Sequence, residues 1–230
     1  MRVLGVESAT DVASVALVDS TGLLSERTVR RPMRSLGWLA PAILGMLQDL
    51  GLAPDAVEGV AVSVGPGSFT GLRVGIATAV GWARARGLPA CGVATLEALA
   101  AAVEAPVVAA VTDAKRGEVA GALFVRRDGV LRRASEDAVG PPEAVAEHLL
   151  RAGEDPRGWV VVGDALGRHG DVLGRRLAGA RFAARALWCP RAATVAWLGR
   201  ERLLVGGAEP LSAIQPRYGR TPAFREVGRA

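Results

Sequence analysis

The feature of this sequence that most restricts its fold is an internal repeat of short apolar strands. In each half, one strand ends at an acidic residue, Glu7 or Asp113, and a second strand follows in which a leucine stands ten residues after that acid. A turn containing glycine and a third strand come next in both halves. Alternating apolar residues predict half-buried strands. The repeat therefore predicts a duplicated α/β architecture with a cleft between two halves.

The apolar spacing also predicts the order of the remaining elements. In the first half we expect strands at 2–7, 12–18, 23–29, 59–64 and 91–93, and helices at 36–50, 70–85 and 96–103. In the second half we expect strands at 107–112, 118–125, 130–133 and 159–163, and helices at 141–150 and 192–204. We therefore expect a first lobe at 1–105, joined by a helix within 190–206, a smaller second lobe at 106–189, and a tail at 207–230.

Composition favours a globular protein of the cytoplasm. Half of the residues are apolar, but no uncharged run reaches the ~18 residues that suggest a membrane span, and no secretory signal is visible. The two cysteines cannot form a disulfide framework, and no CxxC pair predicts a zinc site. His148 and His169 lack a second ligand at helical spacing, so we expect no metal site.

Charge is divided unevenly between the halves. Residues 1–105 have 8 basic and 9 acidic side chains, whereas residues 106–230 have 20 and 14. The basic second half could meet an acidic partner such as RNA. Every basic residue except Lys115 is arginine, however, and the chain is also rich in alanine. A GC-rich genome would produce both features without any binding function. A solvated arginine surface without a partner therefore remains the alternative.

A glycine-rich turn lies between a predicted strand and a predicted helix, in the segment GPGSFTGLR at 65–73. Its free amides could hold an anion, which makes Gly65, Gly67 and Ser68 candidate binding residues. Ser68 or Thr70 could cap the helix. The segment lacks the lysine and spacing of a phosphate-binding loop and the spacing of a dinucleotide fingerprint. A tight turn packed beneath a neighbour is the alternative.

The helix that follows is rich in small residues. Glycine inside a helix costs roughly 1 kcal/mol per position, so Gly71 and Gly75, followed by Ala79, indicate that close packing compensates for them. That packing could lie inside the chain or at a subunit interface.

The two repeated carboxylates are the other candidate site residues. Glu7 and Asp113 could hold a metal–nucleotide group or activate water. They could also accept hydrogen bonds from amides of their own turns. The second interpretation is favoured, because no base or metal ligand is close to either residue in the sequence.

A family resemblance rests on several of these segments together. The sequence GPGSFTGLRVGIATAVG at 65–81 closely resembles the signature of the bacterial TsaB (YeaZ-like) proteins. Similar matches occur at 4–18, 95–99, 113–119 and 216–218, so the resemblance extends over the whole chain. It implies a duplicated, two-lobed fold of the actin-like ATPase type, also called ASKHA or RNase H-like. Many members have histidine where this chain has Arg34.

The resemblance also implies a role in tRNA modification. TsaB-like proteins pair with a catalytic paralogue, TsaD, which transfers threonylcarbamoyl to the adenosine beside the tRNA anticodon, and an ATPase subunit, TsaE, assists. The paralogue binds metal through His-x-x-x-His, and the corresponding positions here are Thr95 and Leu99. Neither residue can replace a histidine ligand. The resemblance thus implies a non-catalytic subunit without a catalytic residue or cofactor of its own, with ATP or ADP bound only at a complex interface and tRNA contacted indirectly.

The predicted interface is formed by the helices at 36–50 and 70–85, which could bind the paralogue or a second copy of this chain. Its expected residues are Leu36, Leu39, Ile43, Leu47, Gly71, Val74, Gly75, Thr78 and Ala79. Two other functions remain open. An independent actin-like ATPase or kinase would use Glu7, Asp113 and the glycine-rich turn, and a metalloprotease would need ligands that the sequence does not offer.

Overall fold

A computed structural model describes residues 1–30, 37–153 and 155–219, and within them the repeated strands form two sheets. The first sheet has the strand order β3-β2-β1-β4-β5. Strands β1 to β3 pair in an antiparallel manner, while β4 runs parallel to β1 and β5 runs parallel to β4. The strands are β1 (Val3–Glu7), β2 (Val12–Asp19), β3 (Gly22–Arg30), β4 (Gly59–Gly65) and β5 (Ala90–Ala94).

The second sheet repeats this topology. Its order is β11-β10-β6-β7-β8, with an antiparallel β6–β7–β8 unit followed by parallel β10 and β11. A short β9 adds to β7. The strands are β6 (Val107–Lys115), β7 (Glu118–Arg127), β8 (Val130–Arg133), β9 (Ala138–Gly140), β10 (Trp159–Val162) and β11 (Arg181–Phe182). The matching connections confirm the predicted duplication and the two-lobed actin-like fold.

In the described part of the chain, six α-helices cover the two sheets in layers. They are α1 (Leu39–Asp49), α2 (Phe69–Arg86), α3 (Thr95–Ala101), α4 (Pro142–Gly153), α5 (Leu166–Arg176) and α6 (Ala192–Leu204). Helices α1 and α2 pack on the outer face of the first sheet, and α4 and α5 pack on the outer face of the second. Helices α3 and α6 lie between the sheets, and Arg202 of α6 donates to both carboxylate oxygens of Glu97 in α3 at 2.5 Å.

Each middle helix packs on the sheet of the other half. Helix α6, from the second half, covers β1, β2 and β4. Its backbone comes so close that a Cβ on Gly5 would overlap the carbonyl oxygen of Ala192, and the amide of Ala192 donates to Ser14 Oγ at 2.8 Å. Helix α3, from the first half, packs on β6 and β7 of the second sheet. As a result, both faces of the central strands of both sheets are buried.

Most boundaries agree with the sequence analysis, and the differences have local causes. The helix expected to begin at residue 36 begins at Leu39, while Leu36, Arg34 and much of the tail at 207–230 lie outside the described residues. The helix expected at 96–103 ends at Ala101. Helix α5 was not predicted, because its three glycines have weak helix propensity. No helix in the described ranges is both long enough and apolar enough to span a membrane.

Candidate functional site

The turns after β1 and β6 hold the two predicted carboxylates in equivalent positions. Glu7 Oε1 accepts a hydrogen bond from the amide of Ala9 at 2.5 Å. Asp113 Oδ1 accepts one from the amide of Lys115 at 2.7 Å. Each carboxylate therefore accepts a hydrogen bond from the amide two residues later and stabilises its own turn. This equivalence agrees with the duplication of the strands.

The only lysine of the chain connects these two turns across the space between the lobes. Lys115 Nζ lies 3.6 Å from Asp11 Oδ1 in the first lobe and 3.5 Å from Asp113 Oδ2 in the second. Arg168 at the start of α5 also pairs with Asp113 Oδ2 at 3.5 Å. Side-chain cations thus pair with one carboxylate on each side of the cleft, Asp11 and Asp113.

A third carboxylate, Asp164, belongs to the same cluster and was given no role from the sequence. Its Oδ1 accepts hydrogen bonds from Thr112 Oγ1 at 2.7 Å and from the amide of Asp113 at 2.9 Å. Burial raises the pKa of this carboxyl, although the two hydrogen bonds oppose that effect. The sequence signal is Gly163, which has a φ of 138° and lies directly against Val111 at the end of a buried strand. Asp164 therefore fastens the β10–α5 turn to β6.

Glu7 has the most altered acidity in this cluster. Its side chain is fully buried, and its Oε2 has no hydrogen-bond partner among the residues that the structure describes. Burial raises the pKa of Glu7 to about 7, against the opposing effect of the Ala9 amide. The carboxyl is therefore close to half protonated at neutral pH. It could act as a weak acid or base, but the described ranges contain no group of three or more histidine, cysteine or acidic ligands that could hold a metal ion beside it.

The glycine-rich turn packs directly on the first of these turns. A Cβ on Gly67, Gly71 or Gly75 would overlap atoms of Ser8 or Ala9. The amide of Ser68 donates to the carbonyl oxygen of Ala9 at 2.7 Å, and Ser68 Oγ caps α2 by accepting from the amide of Gly71 at 3.2 Å. These glycines therefore permit close internal packing. The amide of Ser68 is not free for an anion.

The C-terminal segment packs on the same turn. A Cβ on Gly65 would overlap the carbonyl oxygen of Arg217, and the amide of Arg217 donates to the carbonyl oxygen of Val64 at 2.7 Å. Tyr218 stacks on Phe69, with ring centroids 4.9 Å apart. The Pro-Arg-Tyr motif at 216–218 therefore holds this segment beside the first turn of α2.

Thr95 and Leu99 occupy the first two turns of α3, where the resemblance implies the paralogue's metal ligands. The Thr95 hydroxyl is buried and hydrogen-bonds Ser63 Oγ at 2.8 Å. Leu99 is fully buried in the apolar cluster between α3 and the second sheet. Both side chains thus have structural partners.

The structure separates the predicted interface residues into two groups. Leu39, Ile43 and Leu47 are buried in the core of this chain, and so are Gly75 and Ala79. These five residues are therefore inaccessible to a partner while the chain keeps this structure. Gly71, Val74 and Thr78 are partly exposed, and Leu36 lies outside the described residues.

The outer sides of α1 and α2 expose other residues, which we call the α1–α2 face. On α1, Leu44 is 50% exposed, and on α2, Phe69 is 49% exposed. Ala77 and Gly81 are also exposed, one turn apart on α2. Beside them, a groove of about 610 Å³ runs between α2 and the C-terminal segment, lined by Ile76, Val80, Leu211, Ile214 and Tyr218 among others.

Comparisons with known proteins agree with the fold and with these motifs. The family model "TsaD: tRNA N6-adenosine threonylcarbamoyltransferase" matches residues 34–156. The tRNA threonylcarbamoyladenosine biosynthesis protein TsaB of Escherichia coli is 33% identical over 71% of each chain. An uncharacterised Mycobacterium leprae protein is 38% identical over an aligned region that covers 62% of this chain and 40% of that protein. The crystal structure of YeaZ from Pseudomonas aeruginosa superposes with a TM-score of 0.80 at 27% identity, over 94% of this chain and 99% of its own.

Proposed function

The chain belongs to the TsaB (YeaZ-like) family, and we propose that it is a subunit of the complex that forms threonylcarbamoyladenosine in tRNA. In this proposal it is a non-catalytic partner that binds and supports a TsaD-type catalytic paralogue. A TsaE-type ATPase joins the complex, and any ATP or ADP binds at a subunit interface.

The observation that carries this proposal is the environment of Thr95 and Leu99 on α3. A metal-dependent paralogue needs imidazole at these positions, whereas here a hydroxyl bonds Ser63 and a leucine fills the core. Hydroxyl and alkyl side chains in such positions stabilise the fold and cannot supply the nitrogen ligands of a metal-dependent transferase. This supports a role for the chain as a partner rather than as the transferase itself.

The α1–α2 face supports the mode of assembly. Small residues at Ala77 and Gly81 allow a partner helix to approach closely, and Leu44 and Phe69 are exposed apolar residues on the same two helices. A helix-to-helix interface on this face would leave the second lobe accessible. The same face could form a homodimer when the paralogue is absent.

An independent ATPase or kinase has less support. The space beside the glycines of the turn is occupied by Ser8, Ala9 and Arg217. Asp113 is paired with Lys115 and Arg168. A nucleotide phosphate would have to displace these contacts. ATP turnover by the purified chain alone, abolished by Asp113→Asn, would favour this alternative.

The test is co-purification of the chain with the TsaD-type protein of the same genome, followed by a tRNA threonylcarbamoylation assay. We expect modification to require both proteins. Ala77→Arg together with Gly81→Arg should abolish the pair, since two arginines on the α1–α2 face would separate the helices. Gly81 has open space at its Cβ position, so this variant should fold.

The matched control is Ala144→Arg on α4, an exposed alanine of the second lobe. It should leave both assembly and modification unchanged. If the α2 variant still assembles and supports modification, the assignment of the interface to the α1–α2 face is wrong. If the wild-type chain neither binds the paralogue nor affects modification, the proposed function is wrong.

A further inference from the structure

Residues 166–191, which comprise α5, β11 and the segment that leads to α6, carry a large excess of positive charge. The segment has six arginines and one acidic residue, Asp171, a net charge of +5. The whole protein has the same net charge of +5. The rest of the chain therefore has equal numbers of basic and acidic residues, 22 of each.

Two of the six arginines have partners inside the protein. Arg168 pairs with Asp113 within the second lobe, and Arg191 pairs with Glu26 on β3. The other four, Arg175, Arg176, Arg181 and Arg185, are all exposed, and none forms an ion pair with any residue in the described ranges. By contrast, Arg133 and Arg151 on the same lobe each pair with an acid four residues away.

The fold brings the four unpaired arginines to one border of the second sheet. Strand β11 is the outermost strand there, and it pairs with β10 through Arg181 and Phe182. The Phe182 ring lies against α5, 3.3 Å from the Cβ position of Gly174 and 3.5 Å from that of Gly170. Arg175 and Arg176 therefore leave the last turn of α5 next to β11, and the short 3₁₀ helix Arg185–Leu187 follows β11 directly. We call this set of four arginines the arginine border.

The chemistry of the arginine border suits a nucleic-acid backbone. Guanidinium groups match phosphate geometry and remain charged at any physiological pH. Like charges without counter-ions in the protein repel one another, and a bound polyanion would relieve that repulsion. Phe182, 40% exposed among these arginines, offers a ring on which an unpaired base can stack.

We propose that the arginine border binds the sugar-phosphate backbone of tRNA directly. This inference rests on the proposed function, which brings tRNA to the complex. The border lies on the second lobe and the α1–α2 face on the first, so the chain can contact the paralogue and RNA at the same time.

The test measures binding of an unmodified tRNA transcript, by fluorescence anisotropy, at salt concentrations from 50 to 200 mM. The isolated chain and the co-purified complex are both titrated. Four phosphate contacts predict a slope of log affinity against log salt of about −3.6, which is about a 150-fold loss over this range. Changing all four arginines to glutamine should remove most of that slope. Changing all four to lysine should retain it, since lysine also neutralises phosphate.

A second comparison separates location from net charge. Arg175→Gln with Arg181→Gln removes two charges from the border, and Arg27→Gln with Arg151→Gln removes two charges from ion pairs elsewhere. We expect the first pair to lower the salt slope by about 2 and the second to change it little. Circular dichroism and retained binding to the paralogue verify that each variant is folded.

Three outcomes would overturn the inference. One is equal tRNA affinity and salt slope in the wild-type chain and the four-glutamine variant. Another is equal weakening by the two double variants, which would show that net charge alone matters. The third is border-dependent binding to phosphatidylglycerol vesicles without binding to tRNA. If the glutamine variant still joins the paralogue, any of these results leaves the proposed function standing.

Discussion

Alanine substitutions at three glycines of α2 can test how closely this helix packs on its neighbours. Gly71, Gly75 and Gly81 all lie within the helix, but a methyl group at each would meet a different neighbour. At Gly71 the Cβ would stand 2.0 Å from the backbone oxygen of Ser8, and at Gly75 it would stand 2.2 Å from Ser8 Oγ. At Gly81 no heavy atom lies within 4 Å. Substitution by alanine should therefore give three different results.

The expected free energies follow from these distances. Alanine improves helix propensity by up to about 1 kcal/mol over glycine in a helix interior, so Gly81→Ala should stabilise the protein by about that amount. Gly75→Ala has the same gain but forces the Ser8 hydroxyl away from its 2.9 Å hydrogen bond to the Gly71 carbonyl oxygen, a loss of about 1 kcal/mol. Its net effect should be near zero.

Gly71→Ala should be the most harmful of the three. The oxygen that it meets belongs to the backbone, so either α2 or the β1–β2 turn must move by about 1 Å. Overpacking of this kind costs typically 1–3 kcal/mol, and the displacement also strains the Ser8 hydrogen bond. With the smaller propensity gain near a helix start, we expect a destabilisation of about 2–4 kcal/mol.

Equilibrium unfolding in urea at fixed pH measures all three changes. A double-mutant cycle adds a control: in a Ser8→Ala background the hydroxyl is gone, and Gly75→Ala should then stabilise the protein as Gly81→Ala does. The reasoning fails if Gly71→Ala is as stable as Gly81→Ala, or if Ser8→Ala leaves the effect of Gly75→Ala unchanged.

Two further predictions concern the cleft acids. The pKa of Glu7 is about 7 in the folded chain and near 4.3 in the unfolded chain, so the folded state holds a proton more tightly. The stability that this proton contributes is therefore complete below about pH 4 and is lost as the pH rises through 7. In the wild-type protein, the free energy of unfolding should therefore fall by up to about 3 kcal/mol between pH 4.5 and 8, as measured by urea unfolding. Glu7→Gln should remove this fall, and an unchanged pH profile would contradict the prediction. Asp164→Ala should destabilise by about 2–4 kcal/mol because the buried Thr112 hydroxyl and the Asp113 amide lose their acceptor. Asp164→Asn keeps that oxygen and should lose less than about 1 kcal/mol, so equal losses in thermal unfolding of the two variants would refute this role.

The sequence predicted the elements whose pattern is set by local chemistry. The alternating strands and the equivalence of Glu7 with Asp113 were visible because period-two burial and turn glycines repeat in both halves. Helix α6 has the bounds that its apolar spacing predicts. The glycine-rich segment was identified as either a binding loop or a packed turn, and only the contacts of Ser8 and Ala9 distinguish these alternatives.

The remaining features depend on tertiary contacts. Helix α5 contains Gly167, Gly170 and Gly174, so its intrinsic propensity is poor, and packing of Leu166, Leu173 and Phe182 stabilises it instead. The sequence also does not show which side of α2 faces the core, since small residues occur on both sides of the helix. The role of Asp164 needed the approach of β6, which no local pattern reveals.

The exchange of α3 and α6 between the two sheets has a consequence for how the chain acquires its structure. Residues 1–105 alone would leave much of the inner face of the first sheet uncovered, because α6 covers β1, β2 and β4. Conversely, the second sheet needs α3, which precedes its first strand. During synthesis, the inner face of the first sheet can therefore be fully covered only after α6 has left the ribosome. Two lobes that look separable in space are thus one cooperative unit in folding.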